Sequence, residues 1–174
     1  MLSALVALFA GSLAWAQEAE FSPPCAGPGF ARLRSLEGSW RVRWTYRLEP
    51  GKYEHTIAHA QIEPVIPKCM LEERFTGTLQ GEPFRALALF DTAQSVWVDS
   101  NHGQILLFRG GWVADTLAVE WSRDTAGPPL RLRRLLFAVA PDSFQTRNLL
   151  LRSSAEGWQV VQEAVYVREA KGTR

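Results

Sequence analysis

Gly38-Ser39-Trp40-Arg41-Val42-Arg43-Trp44-Thr45-Tyr46-Arg47-Leu48 alternates apolar and polar side chains at every step from Trp40 onward. A period of two puts Trp40, Val42, Trp44, Tyr46 and Leu48 on one face of a β-strand, and Arg41, Arg43, Thr45 and Arg47 on the other. One face is dry and the other wet. Outward from this strand the same texture repeats, and about ten strands are expected, near 39–48, 53–63, 69–79, 84–90, 94–100, 104–109, 113–122, 130–139, 143–152 and 158–168. Turn chemistry separates them: Glu49-Pro50-Gly51, Gln80-Gly81-Glu82-Pro83, Asn101-His102-Gly103, Gly110-Gly111, Ala126-Gly127-Pro128-Pro129, Pro141-Asp142 and Glu156-Gly157. Short strands joined by tight turns, with no helices between them, predict an antiparallel sheet. Closing that sheet into a barrel removes the exposed edges of a long meander.

The chain has 174 residues, enough for one domain with a substantial core. Lys and Arg total 19 against 18 Asp and Glu, a net charge of +1, which argues against a nucleic-acid partner. Residues 2–16 carry no charge, and Ala14-Trp15-Ala16 before Gln17 reads as a signal-peptidase site. Residues 1–16 are therefore expected to be a signal peptide, 17–35 a leader with one short helix over 30–37, and 36–170 the barrel domain. The apolar run is shorter than the ~20 residues a membrane span needs, so no span is expected after cleavage and the protein is expected to be periplasmic or secreted. Phe30, Leu33 and Leu36 give the helix its apolar spacing. Cys25 and Cys69 are the two cysteines. In an oxidising compartment they pair, closing a loop of about 45 residues and adding about 4 kcal/mol; the alternative is two buried thiols.

Several stretches in a fixed order resemble one family. They are Leu36-Glu37-Gly38-Ser39-Trp40, Met70-Leu71-Glu72-Glu73-Arg74-Phe75-Thr76-Gly77, Gly81-Glu82-Pro83-Phe84, Val96-Trp97-Val98-Asp99-Ser100 and Val160-Val161-Gln162-Glu163-Ala164-Val165-Tyr166-Val167-Arg168. Together they resemble the bacterial family called domain of unknown function 1579 (DUF1579), a calycin, or lipocalin-like, barrel family. The resemblance implies an all-β fold, a single antiparallel calycin-like β-barrel with a short N-terminal helix and an interior pocket. It also implies that Gly38 admits the chain to the first strand, that Trp40 plugs one end, and that Arg168 lies over Trp40. The architecture is further similar to haem-binding barrels of the nitrobindin type, which hold iron through a histidine late in the chain. Here the histidines are His55, His59 and His102 and none follows, so no cofactor is expected.

Other candidate groups have competing readings. His55 and His59 share a helix face, but on a strand four residues span about 13 Å, too far for one metal ion, so no metal site is expected. Asp99, Ser100 and His102 are the residue types of a nucleophilic triad, yet sit in one ordinary turn with no nucleophile elbow. Glu73 shares a face with Leu71 and Phe75; if that face is inward, its carboxylate must be paired, hydrogen-bonded or protonated. Arg85, Arg131, Arg133 and Arg134 offer partners. Either one of the last three is buried, or a β-bulge at Arg133-Arg134 turns them all outward. In the last strand Tyr166 shares its face with Ala164, Arg168 and Trp158, and Glu163 has the other.

The leading expectation is an exported barrel that binds a small apolar or amphipathic ligand. Trp44, Tyr46, Phe75, Trp97 and Trp121 would line it, with Glu73 and one arginine, Arg134, orienting the ligand's polar end and Asp99 at the pocket mouth. The alternatives are a small hydrolase or isomerase using Glu73 or Asp99 as base, and a filled barrel acting as a protein-interaction module.

Overall fold

The computed structural model describes residues 27–66, 69–123, 130–153 and 155–170. The expected signal peptide, most of the leader, Cys25 and the Ala126–Pro129 turn lie outside the described residues; no described cysteine is free. One helix, α1 (Pro28–Arg34), precedes ten strands. These are β1 (Gly38–Glu49), β2 (Lys52–Ile66), β3 (Met70–Leu79), β4 (Glu82–Phe90), β5 (Gln94–Asp99), β6 (Leu106–Val113), β7 (Thr116–Arg123), β8 (Leu130–Ala140), β9 (Ser143–Leu151) and β10 (Gln159–Arg168). Each strand pairs antiparallel with its neighbours in the chain, and β1 pairs with β10 to close the barrel. No helix among the described residues is long and apolar enough to cross a membrane.

One end of the barrel is sealed. Pro28 starts α1, where its missing N–H costs nothing, and the helix buries Phe30 and Leu33, with Leu36 just beyond it. Trp40 is fully buried beneath and donates its indole N–H to the Leu36 carbonyl at 2.8 Å. Phe144 meets Trp40 edge-on at 4.8 Å and stacks on Tyr166 at 4.0 Å. The register sets Trp40 opposite Arg168, whose guanidinium lies 4.2 Å over the indole. That guanidinium also donates to the carbonyls of Ser35, Glu37 and Pro141. Arg168 thus ties the helix exit, the first strand and the β8–β9 turn together. Gly38 has φ of +134°, which favours glycine, and a Cβ there would also press within 2.6 Å of Arg168 Nη1 and displace the guanidinium.

Two expectations change, and one pair of alternatives is resolved. Gly110-Gly111 is not a turn but lies within β6; the reversal comes at Ala114-Asp115, with Ala114 at φ 52°. A Cβ on Gly110 would meet the Ala118 carbonyl at 2.0 Å, so the glycine permits β7 to approach closely rather than breaking the strand. The bulge at Arg133-Arg134 is absent: β8 keeps register with β7 and β9 from Arg131 through Leu136 and shifts only between Phe137 and Ala140. Finally, β10 shifts register between Val160 and Gln162, which takes Trp158 off the Tyr166 face. Arg133 and Arg131 lie over the Trp158 ring at 4.2 and 5.6 Å, and both pair with Glu120.

Candidate functional site

Away from the sealed end the interior opens into a cavity of about 370 Å³. Trp44 and Tyr46 of β1, Phe84 of β4, Trp97 of β5, Leu106 and Phe108 of β6 and Trp121 of β7 form an aromatic and aliphatic wall. Leu132 and Arg134 of β8, Asn148 and Leu150 of β9, and Val161 and Gln162 of β10 form the rest. Arg47, Leu79, His102, Gln104, Arg123 and Leu130 stand around the mouth.

Arg134 is the floor group. It lines both this cavity and a void of about 20 Å³ beneath it, which is room for a single water beside Glu73 and Ser95. Its Nη2 donates to Glu73 Oε2 at 3.0 Å, and its guanidinium lies 4.7 Å over the Trp97 ring. Tyr166 donates its hydroxyl to Glu73 Oε1 at 2.7 Å. Both oxygens of a carboxylate only 3% exposed are therefore satisfied, which is the condition for keeping a charge there. Burial holds the Tyr166 hydroxyl well above its ordinary pKa, and the Glu73 charge adds to this; Arg134 and a hydrogen bond with Thr146 oppose it.

Asp99 lies toward the mouth. Its Oδ2 accepts the Trp97 indole N–H at 3.0 Å, and its Oδ1 accepts the backbone N–H groups of Asn101 and His102. His102 Nδ1 donates to the same carboxylate at 3.0 Å. Burial pushes the Asp99 carboxyl up, but the hydrogen bonds from Trp97 and His102 outweigh it and leave its pKa below the usual value. The cluster fixes the β5–β6 loop and the Trp97 ring. Ser100 takes no part, because its hydroxyl accepts the Arg85 backbone N–H, so Asp99, Ser100 and His102 do not form a triad.

Of the residues expected to line a pocket, Trp44, Tyr46, Trp97, Asp99, Trp121 and Arg134 do. Phe75 does not. It is buried behind the wall, edge-on to Trp44 at 5.2 Å and to Phe84 at 6.0 Å. Glu73 reaches the cavity only through Arg134. His55 and His59 are exposed on the outer face of β2, pairing with Thr45 and Glu169, and no metal-holding cluster occurs among the described residues. His102 comes from the β5–β6 loop and stands at the cavity mouth. Sequence reading missed Asn148 and Gln162. Asn148 sits in Gln145-Thr146-Arg147-Asn148, where polar residues occupy both faces and alternation gives no sign of which is inward.

No family model matches the chain, and no curated protein matches it in sequence. Among solved structures it is similar to Rv2717c from M. tuberculosis, at 15% identity and a TM-score of 0.57, over 83% of this chain and 99% of that one. It is also similar to the S-type phycobiliprotein lyase CPES from Guillardia theta, at 12% identity and a TM-score of 0.52, over 82% of this chain and 91% of the lyase. These likenesses agree with the closed ten-stranded antiparallel meander and show the fold, a single β-barrel with one short helix before it.

Proposed function

We propose that the protein binds a small amphipathic ligand inside its barrel, in the periplasm or outside the cell, as a DUF1579-like protein whose Cys25 and Cys69 are bridged. The observation that carries this reading is the cavity. Its volume falls within the range of small-molecule sites, and its walls are apolar with a few fixed polar groups at the floor. Two of those groups are buried polar atoms without a partner among the described residues, Trp44 Nε1 and Asn148 Oδ1. A buried orphan donor or acceptor costs about 1–3 kcal/mol, and a ligand recovers that cost. A barrel of similar shape serves a phycobiliprotein lyase, which favours an interior put to use over a filled one. The interior carboxylates favour binding over catalysis: Glu73 is held by Arg134 and Tyr166, and Asp99 by Trp97 and its own loop.

Native mass spectrometry of protein purified from its own compartment tests this. A reproducible added mass, released on denaturation, is the expected result. A clean apo mass, with no thermal stabilisation by fatty-acid, heteroaromatic and haem panels, would overturn it.

A further inference from the structure

The cavity's polar groups are unevenly placed. Arg134 on β8 is the direct cross-strand partner of Asn148 on β9, and Asn148 is the direct partner of Gln162 on β10. All three line the cavity, so one wall carries a polar row while Trp44, Trp97 and Trp121 stand around it. Inward side chains of paired residues sit about 4.5–5.5 Å apart at Cβ, close enough to engage one edge of a ligand together.

The row is half satisfied. Asn148 Nδ2 donates to Gln162 Oε1 at 2.5 Å, which leaves Asn148 Oδ1 buried and unpartnered among the described residues. Arg134 gives one Nη2 hydrogen bond to Glu73, out of the five N–H groups a guanidinium carries. An open acceptor therefore stands beside open donors. We propose that the ligand is a flat conjugated ring system that presents a cis-amide or imide edge to this row, a ring N–H beside a ring carbonyl. This deepens the binding reading above and rests on it.

The ligand's N–H goes to Asn148 Oδ1 and its carbonyl to Arg134, with the buried Trp44 indole N–H left for a second acceptor. A carboxylate meets Arg134 but offers nothing to Asn148 Oδ1, and an aliphatic chain meets neither. With the two amides turned over together, the open group on Asn148 becomes a donor; an imide, with carbonyls on both sides of its N–H, meets that arrangement as well. The charge balance agrees. Glu73 already neutralises Arg134, so the floor asks for a polar neutral edge rather than an anion.

The test is a fluorescence titration of the mature protein with three flat three-ring probes: lumichrome, which carries amide and imide N–H groups beside carbonyls, its N1,N3-dimethyl derivative, which carries none, and anthracene-9-carboxylate. Lumichrome is expected to quench tryptophan emission and to bind at least about tenfold more tightly than the dimethyl form, the worth of one lost buried hydrogen bond. Asn148→Leu, checked for native circular dichroism, is expected to erase that preference. Equal affinity of the two lumichromes, or tighter binding of the carboxylate, overturns the amide-edge proposal and leaves the binding reading standing. If no probe binds while mass spectrometry finds a ligand, the outcome is the same. No probe bound and a clean apo mass overturn both.

Discussion

Glu73, Arg134 and Tyr166 show how a single charged residue can sit inside an apolar barrel. Glu73→Gln removes the countercharge of an arginine whose side chain is only 13% exposed, and such breaks cost about 3–5 kcal/mol. The urea midpoint should fall accordingly, and Glu73→Leu combined with Arg134→Leu should recover much of the loss, which a double-mutant cycle would measure. Tyr166 gives a pH signature. Its folded pKa is raised above the unfolded value of about 10, so its contribution to stability is complete below pH 10 and is lost as pH rises through the folded value. Alkaline unfolding of the wild type should therefore include a component that Tyr166→Phe lacks; an unchanged alkaline slope in the variant would refute this. Residue by residue, the sequence showed Glu73 on the inner face because Leu71 and Phe75 flank it. It left the identity of the inward arginine open, because Arg131, Arg133 and Arg134 break the alternation and only pairing with β7 and β9 selects Arg134.

At the scale of elements, strand number and most boundaries were legible because alternation and turn residues agreed. The exceptions are places where backbone geometry overrides composition. Gly110 reads as a turn residue, yet it is a strand position where β7 comes too close for any side chain. Gly110→Ala should lose more than about 4 kcal/mol or fail to fold, since the obstruction is backbone rather than a movable side chain. The reversal at Ala114 went unseen because alanine rarely takes a positive φ; Ala114→Gly should raise stability by about 0.5–1 kcal/mol, read from thermal unfolding. Gln80-Gly81, by contrast, announces itself: both residues have positive φ (54° and 81°), as a two-residue hairpin requires. The Trp158 misplacement has one cause, the register shift between Val160 and Gln162, which composition does not encode.

For the whole molecule, a cavity in a stable barrel predicts separable stability and binding. Leu132→Trp, which fills the cavity from β8, should abolish the ligand-dependent rise in Tm while changing apo stability little; a large apo loss would mean the space is packed core. The overall barrel was readable from the first strand onward, whereas the cavity was not, since large aromatics line pockets and fill cores alike. The seam between β1 and β10 joins the two ends of the fold, Trp40 opposite Arg168. Until Gln159–Arg168 has been synthesised, β1 has only β2 beside it and presents a free edge. The sheet therefore behaves as a hoop whose last stave locks the rest, with folding delayed until the chain is nearly complete. A free peptide copying Val160–Arg168 would compete for that edge, slowing refolding of the intact chain while leaving the already folded protein untouched.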